Sequence, residues 1–317
     1  WQRSIGKGWG NPYTVRYPSN LDDGPWHGMP IGGFGAGCIG RSSAGDFNLW
    51  HLDGGEHVFK TISSCQFSIF EELKDGKTKA YALSTKEPED KTLSKWNWYP
   101  KNKGTYYALY PRSWYQYEGI FEAKIVCEQF SPIIPDNYQE TSYPIGIFEW
   151  TVSNPTDQPI TLSIMLTWQN MIGWFTNSIK TPKIEVRDDG SPEYEYSPQL
   201  GFSQGNFNKW KQSSSQFGFI LDRLRVNDSI SEGEGQICFA TAHDPDLEFS
   251  YLGKWNPSGN GSEVWDHFSA SGTLPNTLDE TIAKPDEQIA AAMAVKFVIK
   301  PGEVKKIPFT LAWDLPI

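Results

Sequence analysis

The chain is poor in basic side chains, in cysteine and in uninterrupted apolar runs. Lys and Arg number 28 against 38 Asp and Glu, a formal net charge of -10. Nucleic-acid binding needs a basic footprint, so that class is excluded, and the same deficit disfavours adsorption to anionic membranes. No apolar stretch approaches the roughly 20 residues that a spanning helix requires. The four cysteines, Cys38, Cys65, Cys127 and Cys238, are scattered, with no pair at metal or redox spacing. Cys65 and Cys127 fall in phase with apolar neighbours, which reads as buried thiols in a reducing, cytoplasmic protein. There is no G-x-S-x-G, no C-x-x-C and no pairing of a nucleophile with a base. The chain opens at Trp1 with neither an initiator Met nor a leader and stops without a polar tail, so we expect a piece of a longer polypeptide.

What is abundant is aromatic. Phe, Trp and Tyr make up 15% of the residues, a bias that suits β structure and, equally, surfaces that stack on sugars. Period-two alternation dominates. Ile160, Leu162, Ile164, Leu166 and Trp168 alternate with Thr161, Ser163, Met165 and Thr167, the pattern of a half-buried strand. Residues Ile145 to Val152 form another, and the turn formers Asn154-Pro155-Thr156-Asp157-Gln158-Pro159 predict that the two make a hairpin. Ala291 to Ile299 and Val304 to Trp313, flanking Pro301-Gly302-Glu303, predict a second. The best helical signal is Ser262 to Phe268, with Ser262 as N-cap. Residues Lys74 to Gly104, Lys180 to Ser215 and Leu252 to Lys284 read as long loops. The fold expected is all-β: residues 1–317 as one large antiparallel β-sandwich with long loops and a few short helices.

The densest motif is Met29-Pro30-Ile31-Gly32-Gly33-Phe34-Gly35-Ala36-Gly37-Cys38-Ile39-Gly40-Arg41. Gly35 to Gly40 reads G-x-G-x-x-G, but a dinucleotide fingerprint needs a buried strand before it and a helix after it. Pro and Gly precede it, and the turn cluster Arg41-Ser42-Ser43-Ala44-Gly45-Asp46 follows, so a glycine-rich strand with a tight turn is the expected structure. His51, Asp53, Glu56 and His57 could suggest a metal, but Gly54-Gly55 excludes a helix and the spacing fits no zinc pattern, so neither metal nor cofactor is expected. Glycoside hydrolysis needs two carboxylates facing across a cleft. None of Asp46, Asp53, Glu56, Asp266 and Asp314 stands in a motif that singles it out.

The run Pro30 to Gly37, then Arg41, Gly45-Asp46-Phe47 and Trp50, resembles the signature of glycoside hydrolase family 116, the non-lysosomal glucosylceramidase or bile-acid β-glucosidase family. Leu166-Thr167-Trp168-Gln169-Asn170, Val264-Trp265 through Gly272-Thr273-Leu274, and Leu311 to Pro316 agree in the same order, so the resemblance covers nearly the whole chain. Gln169 departs from it, where many relatives are expected to carry a basic or small residue. The resemblance implies an N-terminal β-sandwich joined to a C-terminal (α/α)6 barrel. In such a protein a glutamate and an aspartate of the barrel hydrolyse β-glucosides with retention, so no catalytic residue is carried onto this chain. It implies a partner barrel in the same polypeptide and a carbohydrate or glycolipid substrate. Gly33, Gly35, Gly37, Arg41, Trp50, His51, Asp53 and Glu56 are the residues expected at the domain interface or substrate rim. A free-standing carbohydrate-binding module, using exposed rings among Trp96, Trp98, Trp114, Trp210 and Trp255, is the alternative.

Overall fold

A nine-stranded and a five-stranded antiparallel sheet stack into a β-sandwich, with smaller four- and two-stranded sheets at its margins. The structure is a computed structural model and describes residues 1–7, 27–52, 57–186, 188, 190–225 and 233–315. Alternation does the work expected of it. Along Ile160–Gln169, in the centre of the five-stranded sheet, Ile160, Leu162, Ile164, Leu166 and Trp168 point into the inter-sheet core. Phe67 of Gln66–Leu73 locks the sheets together, its ring lying 5.0 Å from Phe148, 5.1 Å from Trp150 and 5.5 Å from Phe309 of the nine-stranded sheet. Burying each such ring contributes about 1.5–3 kcal/mol.

The opposite face of the five-stranded sheet is buried too. On Ala290–Ile299, Ala290, Ala292 and Ala294 point outward, and their small side chains admit a second core of Trp96, Val264, Trp265 and Phe268. Two of those residues' rings, Trp96 and Trp265, stack at 5.4 Å. The helix Ser262–Ser271 thus forms a third layer. Its N-cap is Gly261 rather than Ser262, because the Trp96 ring packs over this position and donates Nε1–H to the Gly261 carbonyl.

Neither predicted hairpin forms. Ile145–Ser153 pairs with Val304–Asp314 in the nine-stranded sheet, and Ile160–Gln169 pairs with Ala290–Ile299 in the five-stranded one. Each turn therefore carries the chain across the sandwich as an arch. Turn residues specify a reversal, not the strand that accepts the hydrogen bonds, and the segment Asn154 to Pro159 is long enough to cross the ~10 Å between sheets. The two arches are tied to each other: Asn154 Nδ2 donates to the Ile299 carbonyl at 3.0 Å, and Gly302 N–H donates to the Asn154 carbonyl at 2.9 Å. The predicted long loops also hold regular structure, including Thr78–Ala82, Asn206–Gln212 and the Ser262–Ser271 helix, the first two too polar for clean alternation.

A buried carboxylate links the main sheets on one flank. Glu71, on Gln66–Leu73, accepts the backbone N–H groups of Ala123 at 2.9 Å and Glu122 at 2.9 and 3.1 Å, just before strand Lys124–Phe130. Burial pushes its pKa up, and the bonds from Ala123 and Glu122 and the Lys79 ammonium only partly oppose this. A carboxylate raised in the folded state contributes most below its unfolded pKa and loses that contribution as pH rises through the folded value. Glu71→Gln is therefore expected to flatten the decline in melting temperature as pH rises above the ordinary glutamate range, about pH 4.3. Identical slopes in thermal scans of both proteins would remove Glu71 as the source.

Candidate functional site at the glycine cleft

The four-stranded sheet comprises Pro30–Ile31, Cys38–Arg41, Phe47–His51 and Val58–Phe59. The glycine run is the connection between its first two strands, so a strand follows where a phosphate site needs a helix. Two glycines are dictated by close approach. A Cβ on Gly33 would stand 2.5 Å from the Tyr143 carbonyl oxygen, and one on Gly37, where φ is +74°, would stand 2.2 Å from the His51 carbonyl oxygen. Gly35 shares the positive φ but faces open space. Phe34 N–H donates to the Thr141 carbonyl at 2.9 Å, and Trp313 Nε1–H donates to the Ala36 carbonyl at 2.8 Å, which pins the loop to the C-terminal strand. Between them lies a cleft of about 750 Å³ lined by Gly33, Phe34, His51, Tyr110 and Trp313. Its rim is apolar, with Phe34 54% and Tyr110 55% exposed and Tyr143, beside Gly33, exposed as well.

Arg41 and Trp50 lie in the interior instead. Trp50 is fully buried, stacks on Phe175 and donates Nε1–H to the Lys60 carbonyl at 2.8 Å. Arg41 is also fully buried: Nε donates to the Gly45 carbonyl at 3.2 Å, a terminal nitrogen donates to the Tyr117 hydroxyl at 3.1 Å, and the guanidinium lies 4.2 Å from the Tyr115 ring centroid. Burial alone would pull its pKa down, yet Tyr117, Tyr115 and Cys127 hold it above the ordinary value. At neutral pH those groups are uncharged, since burial pushes Tyr117 and Cys127 each up to about 12 and Tyr115 well above its usual range. The cation is therefore held by dipoles and a ring face rather than a counter-ion. Among the described residues no carboxylate pairs with it; Asp46 is bonded instead to Ser42, to Thr61 at 2.7 Å and to Lys86 at 2.8 Å.

His51 lies at the cleft, with its ring 4.2 Å from that of His57. Strand pairing sets Cys38 directly opposite His51, and one donor atom from each of Cys38, His51 and His57 falls within 4.8 Å of the others. Spacing along the sequence groups the two histidines but misses Cys38, which only the sheet register brings in. Asp53 and Glu56 lie outside the described residues.

The rings proposed for a carbohydrate platform are not displayed. Trp96 and Trp255 are buried, while Trp98, Trp114 and Trp210 are half-buried. A second cleft of about 810 Å³ is lined by Glu87, Glu89 and Asp90, all from one exposed segment, and no carboxylate faces them from the other lining residues.

A family model described as beta-glucosidase 2, glycosyl-hydrolase family 116 N-term, matches residues 28–317. Among solved structures, the chain is similar to one described as a kojibiose phosphorylase from the human microbiome, at 10% identity and TM-score 0.32, covering 78% of this chain and 21% of that one. It is similar to a polysaccharide lyase at 10% identity and TM-score 0.33, covering 89% of this chain and 31% of the other. It is also similar to a chain described as an aldose 1-epimerase from Escherichia coli K12, at 7% identity and TM-score 0.38, covering 90% of this chain and 98% of that one. It thus spans 21% and 31% of the lengths of the first two.

Proposed function

The chain belongs to the glycosyl-hydrolase family 116 N-terminal domain family, and from that membership we propose that residues 1–317 act as one non-catalytic domain of a retaining β-glucosidase of the glucosylceramidase type. In this reading the sandwich packs on an (α/α)6 catalytic barrel of the same polypeptide and forms one side of the active-site mouth. The substrate is a β-glucoside, glucosylceramide among them, and the enzyme works in the cytoplasm. None of the four cysteines is joined in a disulfide, in keeping with that compartment. No helix among the described residues is long and apolar enough to cross a membrane.

The observation that carries the reading is the glycine cleft. Exposed Phe34 and Tyr110 rim it, and its backbone is fixed by Gly33, Gly37 and the Trp313–Ala36 bond. Apolar side chains beside a glycine-rich turn held by close backbone contacts suit a domain interface, which typically buries roughly 600–1,500 Å². Of the residues expected there, Gly33, Gly35, Gly37 and His51 keep the interface assignment, while Arg41 and Trp50 support the sheet from behind. The test is turnover of an aryl β-glucoside. The chain alone is expected to be inactive and the polypeptide with its barrel active. Combining Phe34→Asp with Tyr110→Asp in the latter is expected to lower kcat/KM about tenfold or more, equivalent to ~1.4 kcal/mol of lost positioning. Turnover by the chain alone at the intact enzyme's rate overturns the proposal.

A further inference from the structure

We propose that Cys38, His51 and His57 form a transition-metal site that binds Zn²⁺ through one thiolate and two imidazoles. The three residues stand in a row, Cys38 and His51 on neighbouring strands and His57 just before the next strand, Val58–Phe59. Cys38 pairs with His51, and the Trp50–Val58 pairing carried one step further sets His51 opposite His57. Residues directly opposite on antiparallel strands present side chains on the same face, about 5 Å apart at Cβ. Three potential donors therefore converge without a sequence motif.

The distances suit the ion. Zn–S near 2.3 Å and Zn–N near 2.0–2.1 Å in a tetrahedron place donors roughly 3.3–3.6 Å apart. The atoms here lie within 4.8 Å of one another, so a shift of about an ångström, within the reach of side-chain rotation, closes the set. One soft sulfur and two borderline nitrogens select Zn²⁺ and its neighbours over Mg²⁺ or Ca²⁺, which favour oxygen. All three side chains are half-buried, and Cys38 and His51 line the glycine cleft, which gives the ion a path in. Gly37 also gains a reason to precede Cys38. Its missing Cβ lets the backbone close on the His51 carbonyl, holding thiol and imidazole on one short stretch of ladder. The bound ion would act as a cross-strand staple for the narrow four-stranded sheet. None of this depends on the catalytic partner proposed above.

The experiment uses the purified protein, stripped with chelator and kept reduced, titrated with Zn²⁺ and separately with Co²⁺. One equivalent of Co²⁺ is expected to release protons to solvent on binding and to give thiolate-to-metal charge-transfer absorption with the visible bands of a tetrahedral ion, and Zn²⁺ should then displace it. Cys38→Ser should abolish the charge-transfer band and His51→Gln and His57→Gln should each weaken binding more than tenfold, while Cys238→Ser leaves both unchanged. X-ray absorption on the zinc-loaded wild-type protein provides a readout that needs no variant: one sulfur and two imidazole nitrogens are expected. Absence of stoichiometric binding, a shell without sulfur, or an unchanged spectrum in Cys38→Ser overturns the site.

Discussion

Replacing Arg41 with alanine is expected to lower the unfolding free energy by about 3–5 kcal/mol, the range seen when a large buried side chain is removed or a buried charge network is broken. The substitution empties a volume enclosed by Phe47, Phe67 and Tyr115, whose ring centroids lie 5.6, 5.3 and 4.2 Å from the guanidinium carbon. It also leaves the Gly45 carbonyl and the Tyr117 hydroxyl without their donor. Arg41→Lys keeps the charge but loses the planar fork, so it should fall between wild type and alanine. Arg41→Met fills most of the space without a charge and should recover much of the loss, because no carboxylate among the described residues repays the desolvation of the native cation. Urea unfolding of the three variants separates these contributions. A loss below about 1 kcal/mol for alanine would show that the guanidinium is dispensable to the core.

Gly37→Ala carries the second large effect. Alanine at φ +74° costs about 1–2 kcal/mol in backbone strain alone, and its methyl carbon would be built 2.2 Å from the His51 carbonyl oxygen. Either the ladder between Cys38–Arg41 and Phe47–His51 separates at this end or the glycine turn swings out of the cleft. We expect a loss of roughly 3 kcal/mol or more, with the change in amide exchange concentrated in the four-stranded sheet. Gly35→Ala is the matched control: the same φ in open space should cost only the strain. Equal losses for the two variants would mean that close packing against His51 contributes nothing.

The sandwich was legible in the sequence because burial on one face of a strand writes itself as alternation. The run from Ile160 to Trp168 could hardly fold otherwise, and its inward side chains are the expected ones. Partnership was not legible. Asn154-Pro155 and Pro301-Gly302 announce reversals, but whether a reversal stays within one sheet or crosses to the other is decided by the far strands. The same blindness affects Arg41. From its place in the turn cluster it is expected at the domain interface or substrate rim, and only the fold brings the Tyr115 face and Tyr117 hydroxyl of Arg112–Tyr117 over it. Cys38 is the third case, since its position opposite His51 is a property of strand register. The glycines, by contrast, marked a close approach of backbone at Gly33 and Gly37, because few other residues tolerate such contact.

The exchanged pairing also sets an order of events during synthesis. Val304–Asp314 sits between Ile145–Ser153 and Gln236–Ala242 in the nine-stranded sheet, and Ala290–Ile299 sits between Glu248–Trp255 and Ile160–Gln169 in the five-stranded one. As the chain leaves the ribosome, each sheet exists only as separated pieces with bare interior edges until its last segment emerges. The nascent sandwich must therefore remain in a partly assembled, aggregation-exposed state until Val304–Asp314 has emerged. Closure then arrives in one late step, as a pair of adjacent strands inserts into both sheets together.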